Sequence, residues 1–215
     1  MKRYIRAAVK RISEELDYDR YSFAIDPETS SRILDQLADD TDWTIRSNVA
    51  KHPNVSAETL TKLAGDPIYN VRTAVAENPN APTRALLKLV SITDHQSPLL
   101  YAIHHPNVTS EVLHALVDCP HFDVRAEIAV SPKTSRDDLA HLAYDRIGEV
   151  RGRVAYNPNT PVEALEHLVT DTTEVRYHLA GNKNAPIEIL STLLDDPVNY
   201  IRKRAAENVA KRQGN

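Results

Sequence analysis

Apolar positions along this chain fall into one figure that returns about every 26 residues. In its first part an apolar residue stands directly before an arginine, and two more follow three and four places beyond it, as Val71, Val75 and Ala76 do around Arg72. Residues at that spacing share one side of an α-helix. The phase arginines are Arg20, Arg46, Arg72, Arg125, Arg151, Arg176 and Arg202, with Leu99 in that place in the fourth repeat; the spacings are 26, 26, 27, 26, 26, 25 and 26. In the second part leucine recurs twice, as Leu34, Leu60, Leu86, Leu113, Leu139, Leu165 and Leu190 and, three places on, as Leu37, Leu63, Leu89, Leu116, Leu142, Leu168 and Leu193. The residue after the second leucine is always Ala, Val or Leu, which completes a helical stripe.

Polar and rigid residues punctuate the figure. Pro27, Pro53, Pro79, Pro106, Pro132 and Pro158 stand seven residues past the arginine and end the first segment, since proline cannot donate to a helix and restricts the residue before it. Lys183 takes that place in the seventh repeat. The second segment opens on Ser30, Ser56, Pro82, Thr109, Ser135, Pro161 or Pro186, a hydroxyl suited to an N-cap or a proline suited to the first turn.

A unit of two short helices cannot bury its apolar face alone and must stack on its neighbours. The sequence therefore predicts an all-α solenoid of about 7.5 repeats of 25–27 residues, spanning approximately 19–44, 45–70, 71–97, 98–123, 124–149, 150–174 and 175–200. Residues 1–18, with Ile5, Val9, Ile12 and Leu16 on one face, are expected to form an N-terminal capping helix. Residues 201–215 are expected to be a half repeat and C-terminal cap, because Val209 replaces the turn proline and lets the last helix run on. On this reading the whole is a single domain and a complete solenoid.

The repeats resemble the leucine-rich repeat variant family, a HEAT-like helical repeat whose signature is similar to VRGRVAYNPNTPVEALEHLVTD from Val150 to Asp171; Val71 to Val90 and Val175 to Asp196 follow closely. The resemblance implies a right-handed superhelix in which α-helices alternate with short 3₁₀ or α-helices. One member type carries an iron–sulfur domain ahead of its repeats, but residues 1–18 contain no cysteine, so that activity does not carry over.

Composition narrows the chemistry. Five glycines against thirteen prolines, with no G-x-G-x-x-G or G-x-x-x-x-G-K, leave no phosphate cradle. A single cysteine, Cys119, excludes an internal disulfide and a Cys-rich metal site. The opening segment is broken by Glu14, Glu15 and Asp17 before any signal-length or membrane-length apolar run, which reads as a soluble, non-secreted, cytoplasmic protein without a membrane partner. Net charge is −4, made of +2 over residues 1–18, +4 over 202–215 and hence −10 between them. An acidic body disfavours nucleic acid, whose binding rests on neutralising phosphates with Lys and Arg.

The arginine column could bind anions, but a structural ladder is the stronger reading. Asp40, Asp66, Asp145 and Asp196 stand six residues before Arg46, Arg72, Arg151 and Arg202, and Asp171 stands five before Arg176. Arg125 belongs to the same column. An acid in each turn and the arginine that follows it are expected to pair, Asp145 with Arg151.

No G-x-S-x-G or H-E-x-x-H occurs, and most carboxylates, such as Glu58, Glu111, Asp137, Glu163 and Glu188, recur at helix starts where negative charge suits the dipole. No catalytic residue, metal or cofactor is expected. His141 and His167 share a place in consecutive repeats with no carboxylate fixed beside them, and His105 before the turn proline reads as a capping residue.

What varies between repeats carries the functional signal. One, two and five residues past the arginine lies the face opposite the core, and repeats two and three fill it with Ser47, Asn48, Lys51, Thr73, Ala74 and Glu77, plain solvated surface. Repeats four to seven place Leu100, Tyr101, His104, Glu127, Val130, Arg153, Tyr156, Tyr177 and His178 there. Rigid amphipathic side chains of this kind suit contact surfaces. The expected function is a non-enzymatic, monomeric scaffold that binds a protein or peptide through Tyr101, His104, Glu127, Arg153, Tyr156, Tyr177 and His178. The alternative is a nucleic-acid-binding or base-excising HEAT-like protein, similar to alkylpurine DNA glycosylases, with Lys51, Lys62, Arg84, Lys88 and Arg153 gathered in a groove. The fourth repeat, with Leu99, Pro98 and the long SITDHQS turn, departs from the pattern, and the solenoid is expected to bend there.

Overall fold

The computed structural model describes residues 19–213, so the capping helix expected over 1–18 lies outside the described residues. Every regular element among them is an α-helix. These are α1 (19–25), α2 (Ser31–Leu37), α3 (Trp43–Lys51), α4 (Ala57–Leu63), α5 (Tyr69–Glu77), α6 (Thr83–Ile92) and α7 (Gln96–His104), then α8 (Ser110–His114), α9 (Phe122–Val130), α10 (Arg136–Leu142), α11 (Gly148–Tyr156), α12 (Val162–Leu168), α13 (Thr173–Ala180), α14 (Ile187–Leu194) and α15 (Asn199–Gln213). The second helix of each repeat is a short α-helix, and no 3₁₀ segment occurs among the described residues. The chain divides into two compact units at Val108 and Thr109, inside the fourth repeat.

In the first unit α3 packs on α5 and α5 on α7, while α4 packs on α6 behind them. In the second, α9, α11, α13 and α15 stack in sequence and α10 packs on α12 in a second layer. Both are α-solenoid stacks of two-helix repeats. The leucine stripes supply the core: all are buried except Leu37, which is half-buried in the repeat nearest the N-terminal edge of the described residues. Each fully buried leucine is worth about 2 kcal/mol relative to exposure, so no single repeat could hold itself together without the apolar faces on either side.

Local chemistry starts and stops the helices as the sequence implies. Ser56, Thr109 and Ser135 cap α4, α8 and α10 by accepting from the Thr59, Val112 and Asp138 amides. Pro82, Pro161 and Pro186 occupy the same N-cap position, one residue before the first helical residue, with extended ψ near 150°. The residues before the turn prolines, His52, Asn78, His105, Ser131 and Asn157, are extended C-caps, the conformation a following proline imposes. Between the third and fourth repeats α6 runs on to Ile92, residues 93–95 form the turn, and Pro98 sits in the first turn of α7, where its missing N–H costs nothing.

The face opposite the core is less open than the pattern suggests. Ser47 and Ala74 are buried, not solvated, and so are Ala126 and Gly152. These side chains are small because the neighbouring first helices pack close over them.

Candidate functional site

Two polar ladders join successive repeats and fix what their exposed residues can reach. In the first, the arginine bridges turns of two repeats. Arg46 donates through Nε and Nη2 to the Asp66 carboxylate at 2.6 and 3.0 Å, and through Nη1 to the Asp40 carbonyl at 2.7 Å. Arg20 meets Asp40, Arg125 meets Asp145, Arg151 meets Asp171 and Arg176 meets Asp196 in the same register. The partner is the aspartate 20 residues ahead, not the one six behind: Arg151 takes only the backbone carbonyl of Asp145. Each carboxylate also accepts a turn amide, as Asp145 does from Ile147.

Burial alone would raise the Asp145 carboxyl, yet the Arg125 guanidinium and the Ile147 amide hold it below its ordinary value. Hydrogen bonds from Arg151 and Arg176 lower Asp171 and Asp196 against the opposing effect of burial. Arg72 departs from the register by donating to the Thr93 hydroxyl at 2.9 Å, with Asp94 no closer than 3.9 Å. Arg202 donates to the Asp196 and Pro197 carbonyls.

The second ladder was not read from the sequence. Asn78, Asn157, Asn182 and Asn208 each donate through Nδ2 to two carbonyls of the preceding repeat's first-helix end, as Asn157 does to Ala129 and Ser131. His105 stands in for asparagine. Its Nε2–H donates to the Asn78 carbonyl at 2.8 Å and its Nδ1 accepts from the Asn107 amide at 3.0 Å, so it caps and bridges at once. His52 does the same to Asp26 and Asn54. The signal was a pair of amides flanking the turn, Asn78-Pro79-Asn80 and Asn157-Pro158-Asn159, with Asn182-Lys183-Asn184 in the same phase.

With backbone and ladders satisfied, the second unit presents one cluster of large side chains on α11, α13 and α15. Tyr156, Tyr177 and Tyr200 are 50%, 37% and 54% exposed. Tyr177 meets Tyr200 edge-on at 5.6 Å, and His178 meets Tyr177 and Tyr156 edge-on at 5.9 and 6.3 Å between ring centres. The Arg204 guanidinium carbon lies 3.9 Å from the centre of the Tyr177 ring and 5.9 Å from that of Tyr156. Two glycines make room: a Cβ on Gly152 would come within 3.1 Å of the His178 ring, and one on Gly181 would run into the Arg204 guanidinium, with Cζ 2.7 Å away. Burial lowers the His178 imidazole below its ordinary value, aided by the Arg204 and Arg153 charges and opposed by Glu174. Arg153 bridges Glu127 and Glu149 at 3.0 and 3.1 Å.

Of the residues expected to bind, Arg153, Tyr156, Tyr177 and His178 thus come together and Glu127 joins them through Arg153. Tyr101 and His104 lie on α7 in the first unit, Tyr101 47% exposed. Tyr200 and Arg204 complete the cluster and were missed, because the sequence reading followed the exposed face only to the seventh repeat.

The remaining histidines have local uses. His141 does have a carboxylate beside it, Asp118 at 2.8 Å, and His114 pairs with Asp138, whose hydrogen bond raises it above its ordinary value. His167 stacks on Tyr144 and His95 on Tyr69, both at 4.2 Å. Among the described residues no three His, Cys, Asp or Glu side chains converge on a metal position. A cavity of about 450 Å³ lies beside Asp118, Cys119, His141 and Tyr144, but its carboxylates Asp118 and Asp145 are engaged by His141 and Arg125, and burial pushes the Cys119 thiol up, away from the reactive thiolate. Among the described residues no helix is long and apolar enough to cross a membrane.

Residues 148–172 match the family described as leucine rich repeat variant. A solved leucine-rich repeat variant with a novel repetitive structural motif is similar to this chain at 23% identity and a TM-score of 0.54, over 83% of this chain and 81% of that one. An engineered protein is 19% identical over 83% of this chain and 95% of its own, with a TM-score of 0.31. A computationally designed armadillo repeat protein for modular peptide recognition is 15% identical over 92% and 93%, with a TM-score of 0.26. No curated protein matches.

Proposed function

From a chain that carries a leucine-rich repeat variant repeat at residues 148–172 within an α-solenoid, we propose a non-enzymatic, monomeric scaffold of the cytoplasm that binds a protein or peptide on the first-helix face of its second unit. The observation that carries the reading is the cluster of exposed Tyr156, Tyr177 and Tyr200 around half-buried His178 and Arg204. Tyrosine brings large area at low conformational cost, and here the tyrosine rings brace the more flexible arginine through its guanidinium. The core does not need this surface, since the leucine stripes and both ladders are satisfied without it. A single buried cysteine fits a reducing setting.

The test uses the full chain as bait in its own host, beside Tyr156→Ala, Tyr177→Ala and Lys51→Ala. Either tyrosine variant should lose most of the partner retained by the wild type, at a melting temperature within a few degrees, while Lys51→Ala keeps it. Equal retention by all four chains would remove the cluster from the binding surface.

A further inference from the structure

We infer that the Arg204 guanidinium, clamped between Tyr177 and the gap left by Gly181, is a carboxylate anchor, and that the partner reaches it with an acidic segment. The inference rests on the protein-binding reading above and names the chemistry of the partner.

Three observations carry it. First, Arg204 is held but not satisfied. Its guanidinium is seated on the Tyr177 ring, yet among the described residues no oxygen accepts a hydrogen bond from it and no carboxylate pairs with it. Two arginines of the neighbouring first helices differ: Arg153 is shared by Glu127 and Glu149, and Arg176 is bound to Asp196. A planar guanidinium stacked on a ring keeps its N–H edge free, and that edge matches the two oxygens of a carboxylate.

Second, the seat is built by a residue change. Five places past the phase arginine the other repeats carry Ile25, Lys51, Glu77, His104, Val130, Tyr156 and Glu207, and only the seventh carries glycine, Gly181. Its φ of −91° requires no glycine; the glycine instead leaves the space that the Arg204 guanidinium fills, and a Cβ there would displace that flexible end.

Third, the helix that carries the guanidinium is cationic. Helix α15 carries Arg202, Lys203, Arg204, Lys211 and Arg212 against Glu207, a net +4 on a chain of net −4, so the remainder sums to −8. A short acidic segment laid on α13 and α15 meets the cationic element, whereas a long polyanion would run on to the acidic remainder. Tyr156, Tyr177 and Tyr200 beside the guanidinium suit apolar or aromatic neighbours of the acidic residue.

The experiment pans a random peptide display library on the full-length chain and measures the selected peptides by fluorescence anisotropy against wild type, Arg204→Gln, Arg204→Lys and Gly181→Ala. The expected result is enrichment of Asp or Glu beside an apolar or aromatic residue, with affinity at least ~tenfold weaker for Arg204→Gln and little recovered by Arg204→Lys. Gly181→Ala should weaken binding as well, at an unchanged or raised melting temperature, because alanine suits the backbone and only displaces the guanidinium. A bound carboxylate should also raise the His178 imidazole by offsetting Arg204, read by histidine NMR with and without peptide. Peptides selected without acidic enrichment, or bound equally by Arg204→Gln, would overturn the carboxylate anchor and leave the protein-binding reading standing. If the wild type selects no peptide, the acidic-segment inference falls, and the protein-binding reading is decided by the bait experiment above. A labelled single-stranded oligonucleotide that binds more tightly than any selected peptide would overturn the inference in favour of a phosphate ligand.

Discussion

At the scale of the residue, the decisive detail is which aspartate each arginine serves. The period is 26, so an aspartate six places before one arginine is 20 places after the previous one, and periodicity cannot tell the two pairings apart. Only packing decides. The structure gives the carboxylate to the earlier arginine and the carbonyl to the later, so Arg151→Ala and Asp171→Ala should couple by about 1–3 kcal/mol in a double-mutant cycle, and Arg151→Ala and Asp145→Ala should couple much more weakly. Thermal or urea unfolding of the single and double variants measures both; coupling to Asp145 in place of Asp171 would refute the assignment.

The same carboxylates set a pH dependence. Asp171 titrates below 3.8 in the folded chain because Arg151 bonds its charged form, so its contribution to stability is complete above that value and is lost as pH falls through the folded value. The gap in melting temperature between wild type and Asp171→Asn, open at pH 7, should therefore close below about pH 4. A gap that does not narrow at all as pH falls from 4 to 2 would mean that packing, not ionisation, holds this rung.

At the scale of the element, the helices were legible because two independent signals marked each boundary: the leucine and Val-Arg stripes gave the faces, and the Ser, Thr or Pro starts and proline ends gave the limits. The 3₁₀ form implied by family resemblance was not needed, since the second helices close α-helical bonds from N-caps such as the Ser56 carbonyl, which accepts from Leu60. Exposure was harder to read. Position along a helix tells which way a side chain leaves the axis but not how near the neighbouring first helix comes, and so the pattern places Ser47 and Ala74 on the surface although both are buried. The candidate site was partly legible for the same reason: Tyr156 and Tyr177 announce themselves by type, whereas Arg204 becomes distinctive only once the space over Gly181 is known. The role of His105 as a cap was readable from its place before Pro106; its bond back to Asn78 was not.

At the scale of the whole molecule, the ladders have a bearing on length. Each rung is specified by residues at matching places in two successive repeats, so cutting out one whole period hands every surviving arginine and asparagine an equivalent partner. Deleting residues 150–174 joins Glu149 to Val175 and leaves Arg125 with Asp145 and Arg176 with Asp196. Arg176 then inherits the Asp145 carbonyl from Arg151, and Asn182 inherits the Ala129 and Ser131 carbonyls from Asn157. This shortened chain should still melt in one cooperative transition, at a lower temperature because one set of stacking contacts is gone. Deleting only 150–168 throws the two ladders out of phase and should abolish that transition; similar melts for both deletions would mean the rungs do not enforce phase. A protein jointed in this way tolerates change in whole-repeat quanta, and gene duplication or loss can adjust its reach without redesigning a single contact.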